Sequence, residues 1–207
     1  MGVADHPPPE ALASRSTARN REPILEVLRP RLPARGVVLE IAAGAGEHAV
    51  FFAGALPHLQ WRPSDPDPRA LASIDAWRDY AGLANLLAPI RLDASDPDDW
   101  PEDPVDAVVN INMLHISPWA AAEGLMAGAR RLLSLEGLLL LYGPYIEADV
   151  ETAASNLAFD ASLRQRNSAW GIRRLDAVTE LAAQHGLALA ERIAMPANNL
   201  ALVFRQA

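Results

Sequence analysis

The sequence predicts an α/β protein with a doubly wound, mostly parallel sheet whose last strand is antiparallel. Three observations carry that expectation. Strand-like and helix-like stretches alternate along the first two thirds of the chain. Runs such as Val105–Val109 are apolar at every position but one, as strands buried on both faces are. Near the end, two strand-like stretches are separated only by "PANN", a link too short for a parallel crossover.

The elements follow in order. Residues 1–15 carry Pro7-Pro8-Pro9 and are expected to form a flexible N-terminal tail; residues 16–207 are expected to form one domain. Ile24, Leu25, Leu28 and Leu32 fall at helical spacing before Pro33. "GVVLEIA" (36–42) is the first strand, and Gly46 to Leu56 a helix. "LQWRPSD" (59–65) is the second strand; Pro68 then opens a helix with Leu71, Ile74 and Trp77 on one face. "LLAPIRLD" (86–93), "VDAVVNIN" (105–112) and "GLLLLYGPY" (137–145) are expected as strands three to five. Between the last two, Ser117 is expected as an N-cap with Pro118 at the first helical position. A helix near 174–185 leads to "LALAERIAM" (187–195) and "LALVFRQ" (200–206).

Composition narrows the function. Half of the 207 residues are apolar and the net charge is −8, a globular balance that opposes non-specific nucleic-acid binding. There is no cysteine, so thiolate nucleophiles, disulfides and zinc–thiolate sites are excluded. The five histidines show no metal-ligand spacing, so no metal is expected. The N-terminus lacks the apolar core of a signal peptide and no apolar run reaches membrane-spanning length, which makes the cytoplasm the expected location.

In open α/β sheets, ligands bind beyond the carboxyl ends of the strands. Here those ends carry Glu40 to Gly46, Asp65, Asp93, Asn110 to His115, and Tyr142 to Tyr145. Gly44 and Gly46 permit a sharp turn and close approach of a ligand. Asp65 stands where an acid grips a ribose diol in nucleotide sites, and Asp93 is placed to accept from an exocyclic amine. Each acid alone also suits helix capping, since Asp65 and Asp67 precede prolines. The stretch Gly44-Ala45-Gly46-Glu47-His48-Ala49 formally matches a dinucleotide fingerprint, so a nicotinamide-dependent oxidoreductase is an alternative at this point.

The pattern Glu40, Ala42, Gly44, Gly46 resembles the first motif of Class I S-adenosylmethionine-dependent methyltransferases, which usually have glycine where Ala42 stands. The antiparallel last strand resembles that superfamily too. More narrowly, "RNREPIL", "PSDPDP", "NMLHISPW", "LLYGPY", "SNLAFDASLRQRNSAWGIR" and "MPANNLALVF" resemble an uncharacterised bacterial methyltransferase-like family, a domain of unknown function with an animal methyltransferase-like relative. The likeness spans about residues 14 to 205.

The resemblance implies a Rossmann-like sheet of order 3-2-1-4-5-7-6 and S-adenosylmethionine as cofactor, with S-adenosylhomocysteine as product. It implies that Glu40 and the backbone of Ala42 to Gly46 flank the methionine half and ribose. Asp65, with Pro66 beside it, would hold the ribose hydroxyls; Asp93 and Ala94 would meet the adenine; Asn112 and Met113 would lie by the sulfonium. The inserted segment 150–173 would form the substrate wall.

His115 is the expected base, with Tyr142 as a second catalytic candidate. Asn20, Arg21, Tyr145, Asn156, Asp160 and Asn198 are expected on the substrate side. The expected activity is methyl transfer to a small molecule; a binding module without turnover is the alternative within the same fold. "NINM" ends strand four in place of an N-P-P-Y-type tetrapeptide, which weakens methylation of base or glutamine amino groups.

Overall fold

Seven strands form one sheet in the computed structural model, which describes Pro8, Ala11, Leu12 and residues 17–207. They are β1 Gly36–Ile41, β2 Leu59–Asp65, β3 Ile90–Arg91, β4 Val105–Ile111, β5 Leu133–Gly143, β6 Leu187–Met195 and β7 Asn199–Gln206. Their spatial order is β3-β2-β1-β4-β5-β7-β6. β1 to β5 pair in parallel, and β7 runs antiparallel to both β5 and β6. The helices are α1 Thr17–Leu28, α2 Glu47–Ala55, α3 Pro68–Ala81, α4 Trp119–Leu132, α5 Ala154–Arg166 and α6 Leu175–Gln184.

Alternation along each strand divides the core into two layers. Val38, Val109 and Tyr142 pack with α1, α2 and α3; Leu39, Val108 and Leu141 pack with α4 and α6. Both faces of β4 are thus covered, which is why its sequence lacks a polar face.

Three expected elements are corrected. Strand three shrinks to two residues, with one further bridge between Leu86 and Trp61, because Pro89 has no N–H for a ladder. Strand five starts earlier, at Leu133, and stops at Gly143, before Pro144. Tyr145–Ile146 instead pairs with Arg173–Arg174 in a separate two-residue ladder. The fourth helix starts at Trp119, with Pro118 as the extended N-cap (ψ 157°), so Ser117 does not cap it and its buried hydroxyl has no partner.

Most of the expected tail, 1–15, lies outside the described residues. Within it, the Leu12 N–H donates to Ser73 Oγ at 2.8 Å and the Leu12 carbonyl accepts from Trp77 Nε1 at 3.3 Å, so this part lies along α3. Among the described residues, no helix is long and apolar enough to cross a membrane.

Candidate functional site

A cavity of about 620 Å³ opens over the carboxyl ends of β1 to β4, within the range of about 300–1,000 Å³ typical of small-molecule sites. Its wall includes Glu40, Ala42, Gly44, Asp65, Pro66, Asp93, Ala94, Asn112 and Met113. Nine of the ten expected cofactor residues therefore meet on one surface; Gly46 does not.

The turn after β1 has the backbone that such a loop needs. Ala42, Gly44 and Gly46 all have left-handed φ, at 56°, 57° and 88°. A Cβ on Gly44 would meet nothing within 4 Å, so that glycine leaves open space at the wall. A Cβ on Gly46 would stand 3.0 Å from the Ile74 backbone, so this glycine admits the close packing of α3. In a dinucleotide fingerprint the second glycine is the one the pyrophosphate approaches; here it faces protein.

Ala42 holds a conformation that costs an L-residue roughly 1–2 kcal/mol, set against about 0.4–1 kcal/mol of extra chain entropy that glycine loses on folding. Ala42→Gly is therefore expected to stabilise the protein by about 0.5–1 kcal/mol. Urea denaturation checks this, and a loss of stability would contradict it.

The strand-end acids have different environments. Glu40 is 1 % exposed, and the indole Nε1 of Trp61 donates to its Oε2 at 2.6 Å. Burial pushes its carboxyl up to about 8; the Trp61 bond opposes this, and the nearby Asp65 adds to it. Asp65 accepts from the Gly44 N–H through Oδ2 at 2.9 Å and from the Asp67 N–H through Oδ1 at 3.0 Å. It thus ties the glycine loop to the end of β2. The helix cap is Asp67, which accepts from the Arg69 N–H at 2.9 Å. Asp93 is more exposed. The hydroxyl and N–H of Ser95 both donate to it and hold it below the usual carboxylate range. Asn112 takes a left-handed φ of 63°, which asparagine tolerates, and its N–H donates to the Tyr142 carbonyl at 2.8 Å.

His48, given no role by the sequence reasoning, lies on the cavity wall. Its Nε2 is 2.8 Å from Asn20 Oδ1, and Asn20 also hydrogen-bonds the Tyr142 side chain. Because the Asn20 carbonyl only accepts, Nε2 carries the proton and Nδ1 is left with a lone pair. Burial, then the positive charge of Arg21, depresses His48 to about 4, so the ring is neutral near pH 7. Asn20 and Tyr142 thus belong to one polar network just behind the wall. The available signal was His48's place in the first turn after the glycine loop.

The remaining expected residues separate. His115 is buried and off the wall, its ring edge-on to Phe159 at 5.5 Å between centroids. Burial, then Arg173 and Arg166, depress it to about 4. Arg21 lies over the Phe51 ring, 4.8 Å from its centroid, and is not on the wall. Tyr145, Asn156 and Asn198 meet at a second cavity of about 210 Å³, where the Asn156 amide donates to the Asn198 carbonyl at 3.1 Å. Asp160 holds the inserted segment together: it accepts from the Ile172 N–H at 2.7 Å and pairs with Arg164 at 2.8 Å. From that segment Trp170 reaches the main cavity, as do Ile116 and Ser117 from the turn after β4. Among the described residues no three His, Asp or Glu side chains group as a metal site.

Solved structures share the fold at low sequence identity. An O-methyltransferase family protein from Burkholderia thailandensis superposes with a TM-score of 0.78 at 17% identity, over 93% of this chain and 57% of its own. The mitomycin 7-O-methyltransferase MmcR gives 0.79 at 16% identity, over 93% of this chain and 54% of its own. CalO1, a methyltransferase of calicheamicin biosynthesis in its S-adenosylhomocysteine-bound form, gives 0.75 at 18% identity, over 93% of this chain and 54% of its own. The chain thus spans a little over half the length of these proteins and has the Rossmann-like methyltransferase fold. A family pattern covers residues 12–206, and by it the chain belongs to the family described as "Protein of unknown function (DUF938)".

Proposed function

We propose that the protein is an S-adenosylmethionine-dependent methyltransferase acting on a small-molecule acceptor, with the cofactor in the 620 Å³ cavity. The observation that carries this reading is the meeting of Glu40, Gly44, Asp65, Asp93 and Asn112, from four neighbouring strand ends, on one wall. The fold shared with methyltransferases, one of them bound to S-adenosylhomocysteine, supports it.

The wall suits that cofactor. Each Asp65 oxygen accepts one backbone N–H and keeps a lone pair for a ribose hydroxyl. Asp93 and the backbone of Ala94 stand at the adenine end, where Leu92 and Ala121 offer apolar faces to a base. The open space at Gly44 admits the methionine half beside Glu40. Ser117 also lines this surface, with its Oγ buried and without a partner.

When bound, S-adenosylmethionine supplies a methyl group already joined to a good leaving group. What the chain must add is alignment and exclusion of water. The loop between β1 and α2, tied to the end of β2 through Asp65, provides the first, and Trp170 and Ile116 contribute to the second.

Calorimetric titration with S-adenosylhomocysteine tests the reading. Saturable binding below the millimolar range is the expected result; no binding at millimolar ligand overturns it. Methyl transfer from labelled cofactor into a small-molecule extract would in turn exclude a binding module without turnover.

A further inference from the structure

Methyl transfer to a protonated acceptor atom releases a proton, and a group on the wall must take it. Among the described residues the wall of the main cavity carries four acids, Glu40, Glu47, Asp65 and Asp93, and no arginine or lysine. Such a wall disfavours ionising an acceptor ahead of transfer, so the acceptor enters with its proton. His115, the base expected from the sequence, is buried off that wall. The acids are engaged within the protein: Glu40 with Trp61, Asp65 with two backbone N–H groups, Asp93 with Ser95, and Glu47 likewise has an interaction of its own.

His48 differs from all of these. Its ring stacks on Phe52, with 5.6 Å between centroids and 14° between planes, and its Nε2–H donates to Asn20 Oδ1 at 2.8 Å. Stack and bond together fix the plane and the tautomer of the ring. Asn20 in turn bonds the Tyr142 side chain, and the Tyr142 carbonyl accepts from the Asn112 N–H at 2.8 Å. The contacts thus lead from His48 to Asn112, which the resemblance sets beside the sulfonium. No described group bonds Nδ1, and Nδ1 is not sealed in the interior as the Ser117 hydroxyl is. The open space that His48 borders is the cavity.

We infer that His48 is the base of the reaction: with Nε2 held by Asn20, its Nδ1 takes the proton of a neutral hydroxyl acceptor, an alcohol or a phenol. The inference rests on the methyltransferase reading and names a catalytic group and the acceptor class of the same cavity. As the acceptor oxygen bonds to the methyl carbon, the carbon–sulfur bond breaks, its electron pair stays on sulfur, and the O–H proton passes to Nδ1. The products are a methyl ether, S-adenosylhomocysteine and an imidazolium. Burial and the charge of Arg21, which hold His48 near 4, then return the proton to water. So weak a base is sufficient for a hydroxyl, because an oxygen that gains a methyl group while still protonated is a far stronger acid than an imidazolium. It is too weak for an ammonium, which has no lone pair to attack with until its proton has gone. A histidine that merely joined two helices would bond Asn20 equally well, but it would not respond to what occupies the methyl position.

The experiment compares two ligands by calorimetry on the full-length protein: S-adenosylhomocysteine, and sinefungin, which carries an amino group, charged near neutral pH, in place of the transferable methyl. An ammonium there reaches Nδ1 directly or through a water at the place of the acceptor oxygen. Native protein is expected to bind sinefungin about ten-fold more tightly than S-adenosylhomocysteine. His48→Phe, which keeps a ring on Phe52, is expected to remove most of that preference and to leave S-adenosylhomocysteine affinity largely unchanged. Nitrogen NMR of the native histidine rings gives a reading that needs no variant: sinefungin is expected to move the His48 Nδ1 resonance further than S-adenosylhomocysteine does. Labelled methyl transferred into a small-molecule extract is expected on oxygen, and label on nitrogen overturns the hydroxyl assignment. No preference in the native protein, a preference that survives His48→Phe, or a resonance that responds alike to both ligands overturns the inference and leaves the methyltransferase reading standing. Failure of S-adenosylhomocysteine itself to bind overturns that reading, and the inference with it.

Discussion

Asp65→Ala is expected to weaken S-adenosylhomocysteine binding by about 100-fold, the largest loss from any single wall residue. A hydrogen bond to an ionised group contributes about 1.5–3 kcal/mol, and a ribose diol offers two. Two such bonds would exceed 100-fold; partial rescue by water lowers the figure. The substitution also frees the Gly44 N–H, now bonded to Asp65 Oδ2 at 2.9 Å, and so loosens the loop that faces the methionine half. Asp65→Asn keeps an acceptor and should lose less, about ten-fold, because a neutral amide accepts more weakly. Asp67→Ala provides the contrast. Asp67 caps α3 through the Arg69 N–H, so its loss should cost about 1 kcal/mol of stability with little change in affinity. If Asp65→Ala bound S-adenosylhomocysteine as tightly as the native protein, Asp65 would be a structural brace and no more.

The contrast between these two aspartates shows what the sequence makes legible. Both precede a proline, and spacing alone suits either to capping or to ligand binding; only the folded turn shows that Asp67 caps and Asp65 ties the glycine loop. The sheet was readable because its signals are local and redundant: apolar strands buried on both faces, acids at their ends, and a link too short to cross over. β3 was readable in position but not in length, since Pro89 removes a ladder donor that the flanking apolar residues seemed to promise.

The acceptor side was harder to read. Tyr142 and Tyr145 bracket Gly143-Pro144, yet Tyr142 packs in the layer under α1 and α2 and Tyr145 in the layer under α4 and α6. Neither reaches the main cavity. Side-chain direction past a strand end depends on loop dihedrals that no periodicity encodes. Trp170 reaches the wall because Arg173 fastens to carbonyls of Leu114 and Ser117, more than fifty residues away in the chain. His48 has no role assigned from the sequence because its partner, Asn20, lies on a different helix.

Stability is expected to peak near pH 6.5 and to fall above it, and the fall should vanish in Glu40→Gln. Glu40 titrates near 4.5 when unperturbed and near 8 in the folded protein. Between those values the folded state binds more protons than the unfolded state, so stability drops as pH rises, by up to about 1.4 kcal/mol per pH unit. The full drop is on the order of 5 kcal/mol. His48 and His115 act in the opposite sense. Each titrates near 6.5 when unperturbed and near 4 in the fold, so the unfolded state binds more protons there and stability rises with pH through that window. From about 4.5 to 6.5 the two histidines outweigh Glu40; above 6.5 only Glu40 still acts among the three. Glutamine keeps a carbonyl oxygen to accept from Trp61 Nε1 and cannot ionise, so Glu40→Gln should keep the acid limb and lose the alkaline one. Urea midpoints from pH 4.5 to 8.5 measure both limbs, and an alkaline fall that persists in the variant would place the titrating group elsewhere. The same protonation bears on the cavity: with Glu40 mostly neutral at pH 7, the wall's negative charge rests on its other acids, Glu47, Asp65 and Asp93, so Glu40→Gln should change S-adenosylhomocysteine affinity far less than Asp65→Ala does.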